Sequence, residues 1–219
     1  MSGSSTLLDA GTARAWLLSC AEAVEAASDR LTELDSAIGD GDHGANLRRG
    51  FRAVAEALDG PVPDTPGELL VKAGMTLISS VGGASGPLYG SAFRAVGKAL
   101  NTPEPNPGAD AAQLAAALTA GLDAVRRLGA AQNGDKTIVD AWDPAAAAFT
   151  AAAEAGQGRA EAARAAAEAA EAGARATIPL QARKGRASYL GERSIGHQDP
   201  GATSTALLFR TLADVLAKQ

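Results

Sequence analysis

Apolar residues recur three and four positions apart along most of the chain, which is the spacing of one face of an α-helix. The clearest stripe lies near the N-terminus and consists of Leu17, Cys20, Val24, Ala27, Leu31 and Leu34. Alternation with a period of two is nowhere sustained, and only 4% of the residues are aromatic, so strand signals are nearly absent. The pattern predicts an all-α protein with Cys20 in its core.

Capping and breaking residues divide this pattern into eight predicted helices. These run from about Asp9 to about Asp35, over about 45–58, from a capping box at Thr65 to Val81, from near Pro87 to before Asn101, from a cap at Asp110 to Leu128, from Asp135 onward, over 159–175, and from a cap at Asp199 onward. Pro144 should interrupt or kink the sixth helix. Residues 176–198 show no clear period.

The connections between these helices are short, and short connections favour antiparallel neighbours. We therefore expect an eight-helix antiparallel up-and-down bundle or barrel. It should form one domain over residues 1–219, with residues 1–8 as a flexible N-terminal tail. If neighbouring helices alternate in direction, the loops after the odd-numbered helices emerge at the same end. Every motif with evident chemistry lies in one of those four loops.

Composition narrows the class of protein. The chain is 46% hydrophobic and 21% charged, as in ordinary globular proteins, and its net charge of -5 argues against a nucleic-acid binder. Its one cysteine fits a reducing compartment. The first five residues lack the basic and apolar regions of a signal peptide, and no apolar run approaches the length of a membrane span. We expect a cytoplasmic protein with no membrane partner.

An acidic loop, residues 35–44 with the sequence DSAIGDGDHG, carries the strongest chemical signal. Its three carboxylates, Asp35, Asp40 and Asp42, lie within eight residues, and unpaired carboxylates this close repel one another. Hard oxygen ligands of this kind suit Mg²⁺ or Ca²⁺. Mg²⁺ usually takes one or two carboxylates and completes its shell with water and substrate phosphates. The loop therefore indicates a magnesium site that presents a nucleotide.

Three other interpretations of the acidic loop are weaker. An EF-hand would need a glutamate at Phe51 and a glycine at Ala45. The spacing of Gly39, Gly41 and Gly44 satisfies the dinucleotide fingerprint, but that fingerprint needs a preceding strand and a helix start free of acids. A plain Asp/Gly turn between helices is common, although a turn does not need three acids.

Two further loops offer groups that bind phosphate. The glycine loop, residues 82–86 with the sequence GGASG, precedes a helix and supplies backbone N–H groups and a hydroxyl. No Walker A sequence is present, which excludes a P-loop enzyme. The basic segment, residues 183–193, carries four positive charges. On its own it is better explained as a solvated surface loop. The two histidines, His43 and His197, lie in motif loops without the further ligands that zinc needs.

Four motifs in this order resemble the dihydroxyacetone kinase L subunit. They are DGDHGAN at 40–46, GGASGPLYG at 82–90, GDKT at 134–137 and GRASYLGERSIGHQDPG at 185–201. The resemblance extends from about residue 9 to the C-terminus.

The resemblance implies an eight-helix barrel whose capped end binds a nucleotide through two Mg²⁺ ions. Carried over by position, Asp35, Asp40 and Asp42 are metal ligands and, together with Arg186, the catalytic residues. The implied contacts to the phosphates and ribose are His43, Gly44, Ala45, Asn46, Ala84 and Ser85. Those bordering the adenine are Gly129, Thr137 and Ile138, and those closing the site from the other side are Arg186, Asp199, Pro200 and Gly201.

By the same resemblance, the chain holds ADP or ATP and passes a phosphoryl group to dihydroxyacetone or a related ketose on a separate K subunit. ADP would be held as a coenzyme rephosphorylated by a phosphotransferase-system protein, the M subunit, or ATP would exchange. The sequence determines neither which phosphoryl donor is used nor whether the chain forms a homo-oligomer.

Two other functions remain open at this point. One is the nucleotide-binding domain of fatty-acid kinases, in which Thr stands where this chain has His43. The other is a catalytically idle nucleotide-binding adaptor. We also expect the basic segment to be a mobile lid, with Gly191 and Gly196 as flexible points.

Overall fold

The structure, a computed structural model, describes residues 7–61, 63–101 and 108–219. Within these ranges the chain forms eight α-helices and one 3₁₀ helix, with no strand beyond an isolated bridge between Leu8 and Ala109. The helices are α1 (Ala10–Ile38), α2 (His43–Ala57), α3 (Pro66–Ser80), α4 (Ser85–Leu100), α5 (Ala111–Gly129), α6 (Val139–Glu154), α7 (Arg159–Ala176), the 3₁₀ helix (Arg186–Ser194) and α8 (Pro200–Leu216). The all-α prediction is confirmed.

Side-chain caps fix the helix starts where the sequence predicts them. The Asp9 carboxylate accepts the N–H of Thr12 at 2.7 Å, and the Asp199 carboxylate accepts the N–H of Ala202 at 2.7 Å. Thr65 caps α3, and Asp110 forms a reciprocal capping box with Gln113. Each cap stabilises its helix by about 1 kcal/mol. The caps therefore set where each loop before these helices ends.

Several boundaries differ from the sequence-based expectation. Helix α1 continues to Ile38, so Asp35 lies inside its last turn, and α2 begins at His43, two residues early. Pro144 does not interrupt α6. Its ring removes the N–H that would bond to Asp140, and the bare backbone of Gly173 in α7 packs directly against that position.

The N-terminal prediction needs a correction at one residue. Residues 1–6 of the expected tail lie outside the described residues. Leu8, however, is fully buried, and its backbone exchanges two hydrogen bonds with Ala109, at 2.8 and 3.0 Å. An apolar side chain directly before the α1 cap is therefore part of the core.

Each helix packs against its neighbours in sequence, and α8 packs back against α1, so the helices close into a ring. Two contacts need very small residues. A side chain at Gly74 or Gly97 would clash with backbone of the facing helix, so α3 and α4 meet through glycines. Helix α7 buries a row of alanines. These close contacts hold α4 and α7, whose ends carry the glycine loop and the basic segment.

Among the described residues, no helix combines the length and the apolar character required to cross a bilayer.

Candidate functional site

The loops after α1, α3, α5 and α7 converge on one cavity of about 280 Å³. Its lining residues are Asp35, Ile38, Asp40, Asp42, His43, Gly82, Gly83, Ala84, Ser85, Leu88, Val125, Gly129, Ala131, Lys136, Thr137, Ile138, Lys184, Gly185, Arg186, Ala187, Asp199, Pro200 and Gly201. The gathering of these four loops at one end requires successive helices to alternate in direction. The structure thus brings together motifs that are far apart in the sequence.

The acidic loop folds its three carboxylates toward one point. One oxygen each from Asp35, Asp40 and Asp42 lies within 4.8 Å of the others. Asp35 is 9% exposed, and its Oδ2 accepts the backbone N–H groups of Asp42 at 2.9 Å and His43 at 3.1 Å. These bonds curl the loop around Asp35, while Asp40 and Asp42 stay open to solvent.

Glycines make this curl possible. A Cβ at Gly39 would collide with Oδ1 of Asp35, and Gly41 has φ +74, a conformation that favours glycine. Among the described residues, only Arg186 forms an ion pair with the three carboxylates, through Asp40 at 3.1 Å. A hard divalent cation fits this oxygen-only, under-neutralised set of ligands.

His43 is buried and uses both of its ring nitrogens inside the protein. Nε2 lies 2.9 Å from the Ser204 hydroxyl, and Nδ1 lies 3.1 Å from the Ser85 hydroxyl. Ser204 is bonded in turn to the Tyr89 hydroxyl at 2.7 Å. Burial lowers the pKa of His43, although Asp35 and Asp42 act to raise it. The neutral imidazole therefore joins α2 to α4 and α8 and orients Ser85 at the cavity wall.

Three of the predicted nucleotide contacts do not line the cavity. Because α2 begins at His43, the next residues turn away with the helix. A side chain at Gly44 would clash with the Ser28 carbonyl of α1, and Ala45 is exposed. Asn46 accepts a hydrogen bond from Arg49 at 2.8 Å and lies beside the glycine loop. The described contacts give these residues packing and shaping roles.

Part of the cavity lining is apolar. It consists of Leu88, Val125, Gly129, Ala131 and Ile138. The rest of the lining includes the acidic loop and the start of α4, whose first N–H groups receive no side-chain cap. Uncapped N–H groups at a helix start attract anions. The cavity therefore combines these apolar residues, which we call the apolar slot, with groups that suit a cation and an anion.

Asp199 also lines the cavity and is 7% exposed. Burial raises the pKa of its carboxyl to about 7, while the N–H of Ala202 and the charge of Lys136 act to lower it. The carboxyl oxygen that accepts the Ala202 N–H caps α8. Asp199 therefore belongs both to the cavity lining and to the start of α8.

Sequence reasoning missed the role of Lys136, because it treated this residue as part of a helix start and of the GDKT motif and gave its side chain no contact. Its side chain is 1% exposed, and its backbone has φ +63, which is unusual for a residue other than glycine. Its Nζ donates hydrogen bonds to the carbonyls of Thr177 at 2.7 Å, Leu180 at 3.1 Å and His197. The one available signal was a lone cation between two acids, Asp135 and Asp140.

Most of the basic segment lies in the 3₁₀ helix, although the sequence shows no period there, and the non-helical backbone of Gly191 (φ 57, ψ -130) kinks that helix. Ala182 and Ala187 are buried with Ile38 in a small second apolar cluster. Arg186 remains 66% exposed at its side chain and forms an ion pair with Asp40, which also lines the cavity. The mobility expected of this segment stays a prediction.

Known proteins similar to this chain agree on one family. A family model described as the DAK2 domain matches residues 37–214. The chain is 44% identical over 198 residues to the ADP-binding subunit DhaL of the PEP-dependent dihydroxyacetone kinase of Escherichia coli K12, covering 90% of this chain and 93% of that protein. It is 43% identical over 212 residues to the ADP-binding subunit DhaL of the PTS-dependent dihydroxyacetone kinase of Lactococcus lactis, covering 96% and 100%.

Longer proteins match this chain over only about a third of their own length. The L-erythrulose 1-kinase of Mycolicibacterium smegmatis is 41% identical over 190 residues, which are 32% of that protein. The crystal structure of the dihydroxyacetone kinase of C. freundii has a TM-score of 0.71 at 26% identity, over 98% of this chain and 37% of that one. A structure of the same kinase in complex with AMP-PNP and Mg²⁺ also has a TM-score of 0.71. This chain therefore belongs to the DAK2 domain family, among the dihydroxyacetone kinase L subunits.

Proposed function

We propose that this chain holds a magnesium-bound adenine nucleotide and passes its terminal phosphoryl group to dihydroxyacetone, or a related ketose, bound covalently on a separate K subunit. The observation that carries the proposal is the convergence of four loops on one cavity whose lining combines a carboxylate cluster with an apolar slot. The similarity to ADP-binding subunits of dihydroxyacetone kinases supports it.

Asp35, Asp40 and Asp42 would hold Mg²⁺, and two ions are expected from the resemblance. Bound there, Mg²⁺ supplies positive charge that neutralises the phosphates and orients them. Oδ2 of Asp35 accepts two backbone N–H groups, and Oδ1, which accepts no hydrogen bond from the described residues, would bind the metal. Ser85, held by His43, presents its hydroxyl near the uncapped start of α4, where phosphate oxygens would lie.

The base would occupy the apolar slot, where Leu88, Val125 and Ile138 exclude water from its faces. Gly129 lines this slot without adding a side chain to it. Arg186 lies opposite the acidic loop and would contact the transferring phosphoryl group, leaving Asp40 to the metal. The chain's own contribution is thus positioning and charge, as in other phosphoryl transfers.

We infer a phosphotransferase-system donor, the M subunit, in preference to exchangeable ATP. The relatives that this chain covers almost completely are described as PEP- or PTS-dependent, whereas the erythrulose kinase is matched over a third of its length. On this inference ADP stays bound and is rephosphorylated in place. A K subunit and an M subunit are therefore the expected partners, and the cytoplasmic location remains a prediction.

The test measures Mg-ADP binding by calorimetry and phosphoryl transfer from labelled PEP in the presence of supplied K and phosphotransferase-system proteins. The chain alone should bind Mg-ADP yet phosphorylate no free triose. Asp42→Asn should abolish binding with an unchanged helical circular dichroism spectrum, whereas Asp123→Asn, an exposed acid on α5, should bind normally. Tight binding by Asp42→Asn, or triose phosphorylation by the chain alone, would overturn the proposal.

A further inference from the structure

Lys136 is a buried cation that makes no direct ion pair among the described residues. Its ammonium group has three protons, and it lies within hydrogen-bond distance of the carbonyls of Thr177, Leu180 and His197. The distance from Nζ to the Ile178 carbonyl is 3.5 Å. A buried ammonium group is costly unless such partners compensate it. Its donors are therefore committed to backbone oxygens and leave none for a phosphate.

These carbonyls belong to the first and last residues of the segment that connects α7 to α8. We call residues 177–180 and 196–199 the neck. Lys136 joins residues 177–180, which follow α7, to residues 196–199, which precede α8. Two other bonds reinforce the join, from the Gly196 N–H to the Ile178 carbonyl at 2.8 Å and from the Asp199 N–H to the Thr177 hydroxyl at 2.9 Å.

The loop that carries Lys136 also contacts the basic segment directly. The N–H of Arg183 donates to the carbonyl of Asp135 at 3.0 Å. At the other end of the segment, the Ser194 hydroxyl accepts the N–H of Ala182 at 2.9 Å. Bonds that begin at residues 135 and 136 thus help to anchor the segment that carries Arg186.

We propose that Lys136 is a positioning residue for phosphoryl transfer: it closes the neck, and the closed neck holds Arg186 opposite the acidic loop and Asp199 at the start of α8. This inference rests on the proposed function for its effect on transfer, but its effect on the neck does not. A left-handed backbone at Lys136 supports it, because a residue other than glycine adopts φ +63 only where its surroundings impose it.

The first test is hydrogen exchange of Lys136→Met, with Lys98→Met, an exposed lysine of α4, as the control. We expect the introduced methionine side chain to fill the space without the three donors, so that exchange speeds up at least about tenfold across residues 177–198 and stays unchanged in α1 to α5. Unchanged exchange at 177–198 would overturn the inference, as would a uniform increase over the whole chain. If Lys136→Met does not fold, Lys136→Gln, which keeps two donors, is measured by the same criteria.

The second test is a double-mutant cycle for phosphoryl transfer with the K and M subunits supplied. Lys136→Met alone should lower the transfer rate about 10- to 100-fold while weakening Mg-ADP binding by less than about fivefold. Combined with Arg186→Ala, it should lower the rate no further than Arg186→Ala does alone. Additive losses would show that Lys136 does not act through Arg186, and an equal loss of binding would show a direct nucleotide contact; either result would overturn the positioning role.

Failure of the proposed function gives a different result. In that case the unaltered chain would transfer no phosphoryl group, while the hydrogen-exchange difference at residues 177–198 would still decide the role of Lys136.

Discussion

The acidic loop and the basic segment both line the cavity and are joined by the ion pair between Arg186 and Asp40, yet their shapes have different origins. The acidic loop is shaped by residues within it, because Asp35 bonds to the backbone of its own loop seven and eight residues later. The basic segment is shaped from outside, because its neck is closed by Lys136, which lies 41 and 61 positions from two of its partners in sequence. The shape of the acidic loop can therefore be inferred from the local sequence, whereas the shape of the basic segment can be inferred only from the folded structure.

Among the described residues, Arg186 and Asp40 form the ion pair between the acidic loop and the basic segment. Removing this ion pair should have the largest effect on phosphoryl transfer. Arg186→Ala should lower phosphoryl transfer about 100- to 1000-fold, the usual effect of losing one group that stabilises a transition state. Its melting temperature without nucleotide should be unchanged, because the side chain is 66% exposed and its ion pair is weak. Transfer assays and thermal melts check this.

Arg183→Ala is the matched control, since Arg183 is exposed on the same segment and does not line the cavity. Equal losses for both arginines would mean that the segment contributes only general positive charge.

Gly39→Ala breaks the acidic loop while leaving the basic segment intact. The new Cβ would collide with Oδ1 of Asp35, so the loop must open, and Mg-ADP affinity should fall about 10- to 100-fold. Calorimetry measures the affinity. Gly60→Ala, where no atom lies within 4 Å of the added Cβ, should bind as the unaltered chain does. Equal affinities for the two variants would mean that the loop shape does not matter.

The pH dependence of stability sharpens the comparison at Asp199, which follows the basic segment and lines the same cavity as the acidic loop. Its pKa rises from 3.8 in the unfolded chain to about 7 in the folded one. The folded state therefore binds more protons between these values, and this group's contribution to stability falls as pH rises from about 4 to 7.

Asp199→Asn should remove that slope, which amounts to at most about 1.4 kcal/mol per pH unit, and its amide oxygen can still cap α8. The charged groups that act on Asp199 are Asp140, Asp35 and Lys136. Denaturant unfolding between about pH 4 and 7 measures the slope. Identical slopes for variant and parent would contradict the assignment.

The smallest effect concerns the hydroxyl network behind His43. Ser204→Ala leaves Nε2 of the buried imidazole without its partner, which should cost about 1–3 kcal/mol of unfolding free energy. It should also weaken Mg-ADP binding a few-fold, because Ser85 loses its fixed orientation. Ser79→Ala, on the exposed face of α3, should change neither quantity. A Ser204→Ala variant as stable as its parent would mean that water replaces the hydroxyl.

The sequence predicted the helices and their caps because periodicity and capping are local properties. Asp9, Thr65, Asp110 and Asp199 all cap helices where expected. It also predicted that the motif loops would meet, since alternating helix directions leave the odd-numbered loops at one end.

The sequence did not show which motif residues face the cavity. One extra turn at the end of α1 and an early start of α2 turned Gly44 toward α1 and Asn46 toward Arg49. The hydrogen bonds of Lys136 could not be predicted because its partners are backbone carbonyls, which no particular residue type in the sequence marks. The 3₁₀ helix could not be predicted for a related reason: Ala182 and Ala187 pack on Ile38, which is distant in sequence.

A crystal structure of this chain with Mn²⁺ in place of Mg²⁺, and with AMP-PNP, tests most directly whether the two regions form one nucleotide site. We expect an anomalous manganese peak at coordination distance, roughly 2.1 Å, from oxygens of Asp35, Asp40 and Asp42. The base should lie against Leu88 and Val125, and Arg186 should point at the terminal phosphate. A manganese peak away from these carboxylates, or a nucleotide outside this cavity, would contradict the proposed site.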